Sequence, residues 1–158
     1  MARHALLVQV IRYEAPGWGV GELWLEDGVL VNHELPSARP GAETTRHPLA
    51  EQLRAYFAGK RVDFGDVELD VEWMTPFQTA VAGTLRRVPY GEVVTYGELA
   101  ALAGHPNAQR AAGSFCAGNR FPILVPCHRV VSANGLGAYG SLGLDYKRRL
   151  LALEGVRA

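Results

Sequence analysis

The charge of this chain changes sign near residue 72, and the spacing of its apolar residues changes at the same place. Residues 1–72 contain 7 lysines and arginines against 12 acidic residues, whereas residues 73–158 contain 9 against 4. Strand-like alternation dominates the first part, and helix-like spacing dominates the second. The formal net charge of zero is therefore a cancellation. We predict an α/β chain of two domains, 1–72 and 73–158.

The first part is predicted to form an antiparallel sheet covered by one helix. The dipeptide Asp27-Gly28 is a strong hairpin signal, because a type I′ turn needs positive φ at both of its central positions. We expect three strands here, at residues 4–13, 19–26 and 29–35, and a short fourth strand near 67–71. Pro48 begins a helical pattern that ends at Gly59, with apolar residues at Leu49, Leu53, Tyr56 and Phe57.

The second part is predicted to be mostly helical. Thr75 and Gln78 form one capping box and Thr95 and Glu98 form another, so a helix should begin after each threonine. The predicted helices cover residues 75–87, 95–104, 107–118 and 144–155. The second and third of these, joined by a short turn, suit a helix-turn-helix, but they also suit an ordinary helical hairpin. The last should turn Tyr146, Leu150 and Leu153 inward and end at Glu154.

The segment between the third and last predicted helices leads to a cysteine that is followed directly by a histidine. Residues 121–126 are apolar with prolines at both ends of the run, and Cys127 and His128 follow. A cysteine reacts as a thiolate, so it needs a base or a cation nearby. On an extended strand neighbouring side chains point to opposite faces, so the pair would need a sharp turn or a bridging water. A buried, unreactive cysteine and a structural histidine remain the alternative.

Other features narrow the class of protein. Cys116 and Cys127 stand eleven residues apart with no further cysteine, which fits neither a disulfide framework nor a zinc site, and we predict no metal. No apolar run is long enough to span a bilayer and no secretion signal is evident, so we expect a cytoplasmic protein without membrane contact. The basic second part suits a polyanion such as nucleic acid, although chance could also produce it; the candidate phosphate contacts are Arg86, Arg87, Arg120 and Arg129.

A longer pattern of residues resembles a known family. The string Pro122 to Val131 (PILVPCHRVV), with Asn119 before it, residues 93–100 (VVTYGELA) and residues 110–113 (RAAG) closely resembles the O6-alkylguanine-DNA alkyltransferases, or methylated-DNA–protein-cysteine methyltransferases. The resemblance covers residues 74–155 by motif. It implies an RNase H-like first domain and a second domain that binds DNA and transfers the alkyl group through a winged helix-turn-helix.

The resemblance implies a DNA-binding surface on residues 95–117, turned to the minor groove of double-stranded DNA. Arg110 would fill the space left by a flipped guanine, because an alkylated base cannot be attacked inside the stack. Tyr96 would rotate the phosphate and hydrogen-bond the flipped guanine. The remaining residues implied to lie at the DNA are Thr95, Ala108, Ala111, Ala112 and Gly113.

The resemblance also implies the reacting groups. Cys127 would accept the alkyl group, His128 would take the thiol proton through a water, and Glu154 would orient the imidazole. Asn119 would tie the turn before the active-site segment, and Pro122 would line the alkyl pocket. The backbone carbonyls of Cys127 and Val130 would accept hydrogen bonds from the guanine amino group.

Two positions depart from the family pattern. The aromatic residue of the glycine-rich loop, Tyr139, stands one position early, which leaves Gly140 in its place and Ser141 after it. A shorter loop could still bring Tyr139 to the pocket wall; otherwise the glycine would widen the pocket and slow methyl repair relative to benzyl repair. Cys116 stands on the recognition helix where the family usually has an apolar residue, and we interpret it as a packing residue without a chemical role.

The function implied is DNA repair by an irreversible, single-turnover transfer of the alkyl group from O6-alkylguanine in DNA to Cys127, without a cofactor. The protein would act as a monomer, and the sequence leaves open cooperative binding along DNA, the preferred alkyl size and O4-alkylthymine as a second substrate. One alternative is a damage-sensing, alkyltransferase-like binding protein with impaired transfer. Another is a Cys-His hydrolase, which would need an oxyanion site and multiple turnover.

Overall fold

The computed structural model describes residues 7–38, 43–140 and 142–157. The chain divides into two compact units, Met1–Asp70 and Val71–Ala158, which are treated separately below. Each unit has buried apolar residues of its own, such as Leu23 and Leu53 in the first and Leu85 and Leu150 in the second.

The first unit is a three-stranded antiparallel sheet with one helix on it. The strands β1 (Val8–Ala15), β2 (Gly19–Glu26) and β3 (Val29–Ser37) lie in the order β1-β2-β3. Asp27 and Gly28 adopt φ values of 48° and 82°, as the type I′ turn requires. Helix α1 (Pro48–Phe57) packs on β1, with the rings of Phe57 and Tyr13 6.5 Å apart. The predicted sheet and its helix are confirmed.

The predicted strand at 67–71 is wrong. In the described residues this segment makes only an isolated parallel bridge, between Leu69 and Leu30. Asp70 N donates to Leu30 O at 2.8 Å, and Leu30 N donates to Glu68 O at 3.0 Å. The segment therefore adds two backbone hydrogen bonds to the edge of β3 without extending into a ladder.

The second unit is built from short helices and two very short strands. Its elements are α2 (Pro76–Leu85), β4 (Val94–Thr95), α3 (Tyr96–Leu102), α4 (Gln109–Ala117), a 3-10 turn (Cys127–Arg129), β5 (Val130–Val131) and α5 (Gly143–Leu153). Both predicted capping boxes are present, at Thr75 and at Thr95. None of the helices in the described ranges is long and apolar enough to cross a membrane.

A pair of parallel strands brings the start of α3 to the 3-10 turn. Val94 pairs with Val130, and Thr95 pairs with Val131. Since Tyr96 follows Thr95 directly, this pairing sets the start of α3 beside the segment that follows the turn. Helix α4 packs against α3 through Ala112 and other residues that are fully or almost fully buried.

Helix α5 presents a different face to the interior from the one predicted. Its buried residues are Lys147, Leu150 and Leu151, followed by Glu154 at the C-cap. These positions are spaced i, i+3, i+4 and i+7, which is one helical face. Of the three residues predicted to face inward, Leu150 is buried, whereas Tyr146 and Leu153 are half-buried, with the ring of Tyr146 stacked on that of Tyr139. The prediction followed the apolar residues, whereas the structure buries two charged residues on the inner face.

Candidate active site

Asn119 holds the segment that leads to Cys127. Its amide nitrogen donates to Val125 O at 2.8 Å and to Cys127 Sγ at 3.2 Å, and its side-chain oxygen accepts from Phe121 N at 2.9 Å. Within this turn Ile123, which is buried, adopts a φ of 74°, a left-handed conformation that is strained for a β-branched residue. Such strain costs about 1–3 kcal/mol and persists only where packing over-determines it. The position of the sulfur is therefore set by a rigid, tightly bonded turn.

Cys127 and His128 lie on a 3-10 turn rather than on an extended strand. Cys127 is 4% exposed and His128 is fully buried. The chain therefore does turn sharply at this pair, which removes the obstacle that opposite faces of a strand would create. The turn also directs the imidazole into the interior, toward the end of α5.

A buried carboxylate connects His128 to Arg129. Glu154 Oε2 lies 2.7 Å from His128 Nε2 and 3.0 Å from Arg129 Nη2, while Glu154 Oε1 accepts from Arg129 Nε at 2.9 Å. The side chains of His128 and Glu154 have no exposed surface. Arg129 was one of four candidate phosphate contacts, and the structure contradicts that role. Its guanidinium instead donates two hydrogen bonds to Glu154, in the bidentate geometry that suits a carboxylate.

The loop after α2 completes this network. Gly91 N donates to Glu154 Oε1 at 3.0 Å, and Arg129 Nη1 donates to Val88 O at 2.7 Å. Tyr90 adds a hydrogen bond from its hydroxyl to Leu153 O. The carboxylate of Glu154 is thus held by four donor groups from two segments, the 3-10 turn and the loop after α2, which leaves it one orientation toward the imidazole.

Lys147 is a second charged group that the sequence prediction missed. It is fully buried, and its ammonium donates to Val130 O at 2.6 Å, Leu136 O at 2.5 Å and Ala138 O at 3.2 Å. A lysine is almost never fully buried unless it is paired, and here three carbonyls supply the partners. Lys147 thereby fastens the glycine-rich loop to the strand that follows Cys127.

The environment keeps the thiol and the imidazole neutral. Burial raises the pKa of the Cys127 thiol well above its ordinary value, and a hydrogen bond with Cys116 raises it further, against the opposing effects of Asn119 and Lys147. Burial lowers the pKa of His128, although Glu154 acts in the opposite direction. A neutral imidazole that donates Nε2–H to Glu154 carries its proton-accepting lone pair on Nδ1. The site thus contains a neutral thiol and, on the next residue, a neutral imidazole that can act as a base.

We expect the Cys127 thiol to alkylate slowly at neutral pH. Because its pKa is raised well above the ordinary thiol value, only a small fraction is thiolate there, and that fraction grows as the pH rises. Time-resolved peptide mapping with iodoacetamide, in the absence of DNA, measures both cysteines of the same molecules. Half-buried Cys116 is the internal reference. Modification of Cys127 at neutral pH as fast as that of a free thiol, without acceleration at alkaline pH, would contradict this expectation.

A cavity of about 40 Å³ lies beside the sulfur of Cys127. Tyr139 and Gly140 both line it, so the structure brings the early aromatic residue to the wall. Tyr96 lines it too, and a Cβ atom at Gly137, which has a φ of 76°, would lie 3.0 Å from the Tyr96 ring. The loop can therefore approach that ring only with glycine at position 137. The full lining is Tyr96, Gly113, Cys116, Ala117, Cys127, Ala138, Tyr139 and Gly140.

Two predicted pocket residues, Pro122 and Val130, do not line this cavity. Pro122 is half-buried in the turn before Cys127 and is not among the described residues that line the cavity. The Val130 carbonyl already accepts from Lys147, and the Cys127 carbonyl accepts from Val130 N, so a guanine amino group would have to share each oxygen. Ser141 lies outside the described residues.

The residues expected to meet DNA fall into two groups. Arg110 and Ala111 are exposed on α4, together with Ser114 and Ala117, which the sequence prediction did not single out. Ala112 is fully buried, so its place in the DNA contact set is wrong. Gly113 and Ala108 are half-buried, as is Thr95, which caps α3 through a hydrogen bond from Glu98 N. The exposed residues of α4 are consequently Gln109 and Arg110 in its first turn, followed by small side chains.

The sequence analysis missed Lys147 and gave Arg129 a different role, and only Lys147 had a signal in the sequence. Lys147 shares its helical face with Leu150, Leu151 and Glu154, so its position on an apolar stripe could have marked it as buried. Arg129 stands two residues after Cys127, but its partner Glu154 is 25 residues away, and no local pattern links the two. Among the described residues, no cluster of three or more histidines, cysteines or acidic residues is arranged to hold a metal ion.

Comparison with known proteins finds relatives that share both the sequence around this site and the fold. Residues 76–156, which include Tyr96, Cys127 and Glu154, match the family model of the 6-O-methylguanine DNA methyltransferase, DNA-binding domain. A methylated-DNA–protein-cysteine methyltransferase of Methanosarcina acetivorans is 49% identical over 125 residues, which are 77% of each chain. The crystal structure of Mycobacterium tuberculosis O6-methylguanine methyltransferase superposes with a TM-score of 0.78 at 38% identity, over 96% of this chain and 95% of that one. The same protein in complex with DNA superposes with a TM-score of 0.78 at 37% identity, over 92% of each chain.

Proposed function

Because the chain belongs to the family of 6-O-methylguanine DNA methyltransferases, we propose that it repairs DNA by direct reversal, moving an alkyl group from guanine O6 to its own Cys127. The observation that carries this proposal is the position of Cys127. It lines a cavity, its sulfur accepts a hydrogen bond from Asn119 at 3.2 Å, and the next residue in the chain, His128, is paired with Glu154. Family membership supplies the reaction, and the geometry supports a role for each group in it.

The second unit is the part that binds double-stranded DNA, through a winged helix-turn-helix of α3 and α4. The exposed face of α4 supports this assignment, because small side chains allow its backbone to approach a groove closely, while Arg110 provides a charge at the start of the helix. The first unit would be the RNase H-like domain of the family. We propose that the protein acts as a monomer in the cytoplasm, where free thiols such as its two cysteines persist.

The alkylated guanine is flipped out of the duplex before transfer. Arg110 occupies the vacated space, and Tyr96 hydrogen-bonds the extruded base at the cavity it lines. Burial raises the pKa of Tyr96, and a charge on either cysteine would raise it further, so its hydroxyl keeps its proton and can donate. The base would then lie with its O6 substituent toward the sulfur.

Replacing Arg110 by alanine should slow transfer from duplex DNA by at least about tenfold, because base flipping costs a few kcal/mol that the arginine offsets. Transfer from free O6-benzylguanine, which needs no flipping, should change little. Single-turnover rates with both substrates measure the difference. Arg148→Ala, which removes an exposed charge from α5, is the matched control. An equal loss on both substrates would show that Arg110 supports the fold of α4 instead.

The transfer is an in-line displacement at the alkyl carbon. His128 takes the Cys127 proton through a water, the sulfur–carbon bond forms, and the bond from carbon to guanine O6 breaks, leaving guanine with the electron pair. The lowered pKa of His128 means that the base is ready to accept at neutral pH. Glu154 stabilises the imidazolium that results, and Arg129 keeps Glu154 in place through two hydrogen bonds.

The product is a thioether, which no group at the site can cleave, so each molecule reacts once. Intact mass after incubation with a duplex that contains one O6-methylguanine tests this. The expected result is a gain of one methyl group per molecule that saturates with excess substrate, and demethylated guanine in equal amount. Repeated turnover would exclude the single-use reaction, and tight binding to the damaged duplex without any mass gain would identify a damage sensor.

A further inference from the structure

A second thiol lies on the same cavity as the nucleophile. Cys116, on the last turn of α4, lines the cavity beside Cys127 together with Tyr96 and Tyr139. The two cysteines belong to different elements and are eleven residues apart in sequence. Cys116 is half-buried, whereas Cys127 is buried, so Cys116 is the more accessible of the two.

The two thiols interact with one another. A hydrogen bond between their side chains contributes to raising the pKa of Cys127, as does the repulsion that a charge on Cys116 would exert. Both cysteines line the same cavity of about 40 Å³, and a disulfide of about 2.05 Å would form where their sulfur atoms meet within it. The Asn119 amide also holds the Cys127 sulfur at 3.2 Å, which limits its freedom to move away.

We propose that Cys116 and Cys127 are a redox pair that a hydroperoxide converts to an intramolecular disulfide. The more accessible Cys116 thiolate attacks the peroxide, and its sulfur becomes a sulfenic acid while the other oxygen leaves as water. The Cys127 sulfur then attacks the Cys116 sulfur, the sulfur–sulfur bond forms, and the sulfenic oxygen leaves as a second water with the Cys127 proton. Two thiols lose two electrons, and the peroxide gains them.

The disulfide would protect the nucleophile, an inference that rests on the function proposed above. A cysteine without a resolving partner proceeds from sulfenic to sulfinic and sulfonic acids, which thiols do not reduce. A disulfide stops the oxidation at a stage that a thiol reductant reverses. The same Cys127 that alkylation consumes permanently would then be blocked only temporarily by peroxide.

Intact mass of the full chain after hydrogen peroxide treatment and iodoacetamide blocking tests the proposal. We expect the mass to fall by two hydrogens, with neither cysteine carrying the blocking group, and peptide mapping to join Cys116 to Cys127. Dithiothreitol should restore both thiols and the uptake of one methyl group. Wild-type protein that keeps both thiols blockable, or that gains oxygen at Cys127, would overturn the proposal.

The variant Cys116→Ser provides the comparison, with each protein measured against its own untreated sample. In the variant we expect no disulfide. Because Cys127 is buried, prolonged peroxide treatment should add oxygen to it only slowly, and the methyl uptake lost in this way should stay lost after dithiothreitol. Recovery of the variant equal to that of the wild type would also overturn the proposal. The disulfide is detected by mass, so it can be measured even if the untreated protein transfers no methyl group. Failure of the proposed repair function would appear as absent methyl uptake in the untreated sample.

Discussion

Replacing Cys127 by serine is expected to abolish uptake of the alkyl group. The hydroxyl is nearly isosteric and can keep the hydrogen bond from Asn119 that the sulfur now accepts at 3.2 Å. It is a far weaker nucleophile than a thiol near neutral pH, and the base at this site is a single imidazole. Intact mass with excess methylated duplex should show no gain, while fluorescence anisotropy should show that binding to the damaged duplex is retained.

Cys116→Ser is the matched control, because it makes the same chemical change at the other cysteine. It should still accept one methyl group per molecule, whatever its rate. A methyl group found on the Cys127→Ser protein would show that another residue is the acceptor and would refute the assignment of the nucleophile. Loss of DNA binding together with loss of transfer would show instead that position 127 supports the DNA-binding surface.

Glu154→Gln should damage both the fold and the reaction. The carboxylate is fully buried and faces the guanidinium of Arg129 and the imidazole of His128. Removing one partner of a buried ion pair leaves the other charge uncompensated and typically costs about 3–5 kcal/mol. A misoriented general base should slow transfer by about 10²–10⁴-fold. Urea unfolding measures the first effect, and single-turnover transfer under conditions where the variant is folded measures the second.

An exposed carboxylate on the same helix, Asp145, provides the control for Glu154→Gln. Asp145 pairs with Arg148 at 3.2 Å on the open surface of α5, where a screened ion pair contributes little. Asp145→Asn should therefore leave both the free energy of unfolding and the transfer rate nearly unchanged. If Glu154→Gln behaved like Asp145→Asn, the buried network would not support either the fold or the base.

The sequence predicted those features correctly that depend on interactions between neighbouring residues. The hairpin turn at Asp27 and Gly28 and the capping boxes at Thr75 and Thr95 were all predicted and are all present. Each depends on backbone dihedral angles and hydrogen bonds within three residues of one another. The resemblance that singled out Cys127 also rests on short stretches of sequence, each of them continuous.

Longer-range relations were predicted less well. The 67–71 segment has the composition of a strand but meets β3 at only one bridge, because pairing depends on the partner as well as on the segment. The inner face of α5 was predicted from apolar residues, and the structure instead buries Lys147, whose three carbonyl partners lie 9 to 17 residues away. Ala112 was assigned to the DNA surface because it is small, but its helix turns it inward.

The sequence by itself determined the class of chemistry: a cysteine as acceptor with a histidine beside it, in a chain whose motifs point to DNA. Only the tertiary structure decided where those groups lie and what surrounds them. The 3-10 turn, the carboxylate that Glu154 brings from 26 residues away to His128 and the second thiol at the cavity all arise from packing between separate elements. The sequence gives the identity of each side chain. The burial of a side chain, its distance to other groups and the resulting pKa values depend on how separate segments pack in the folded chain.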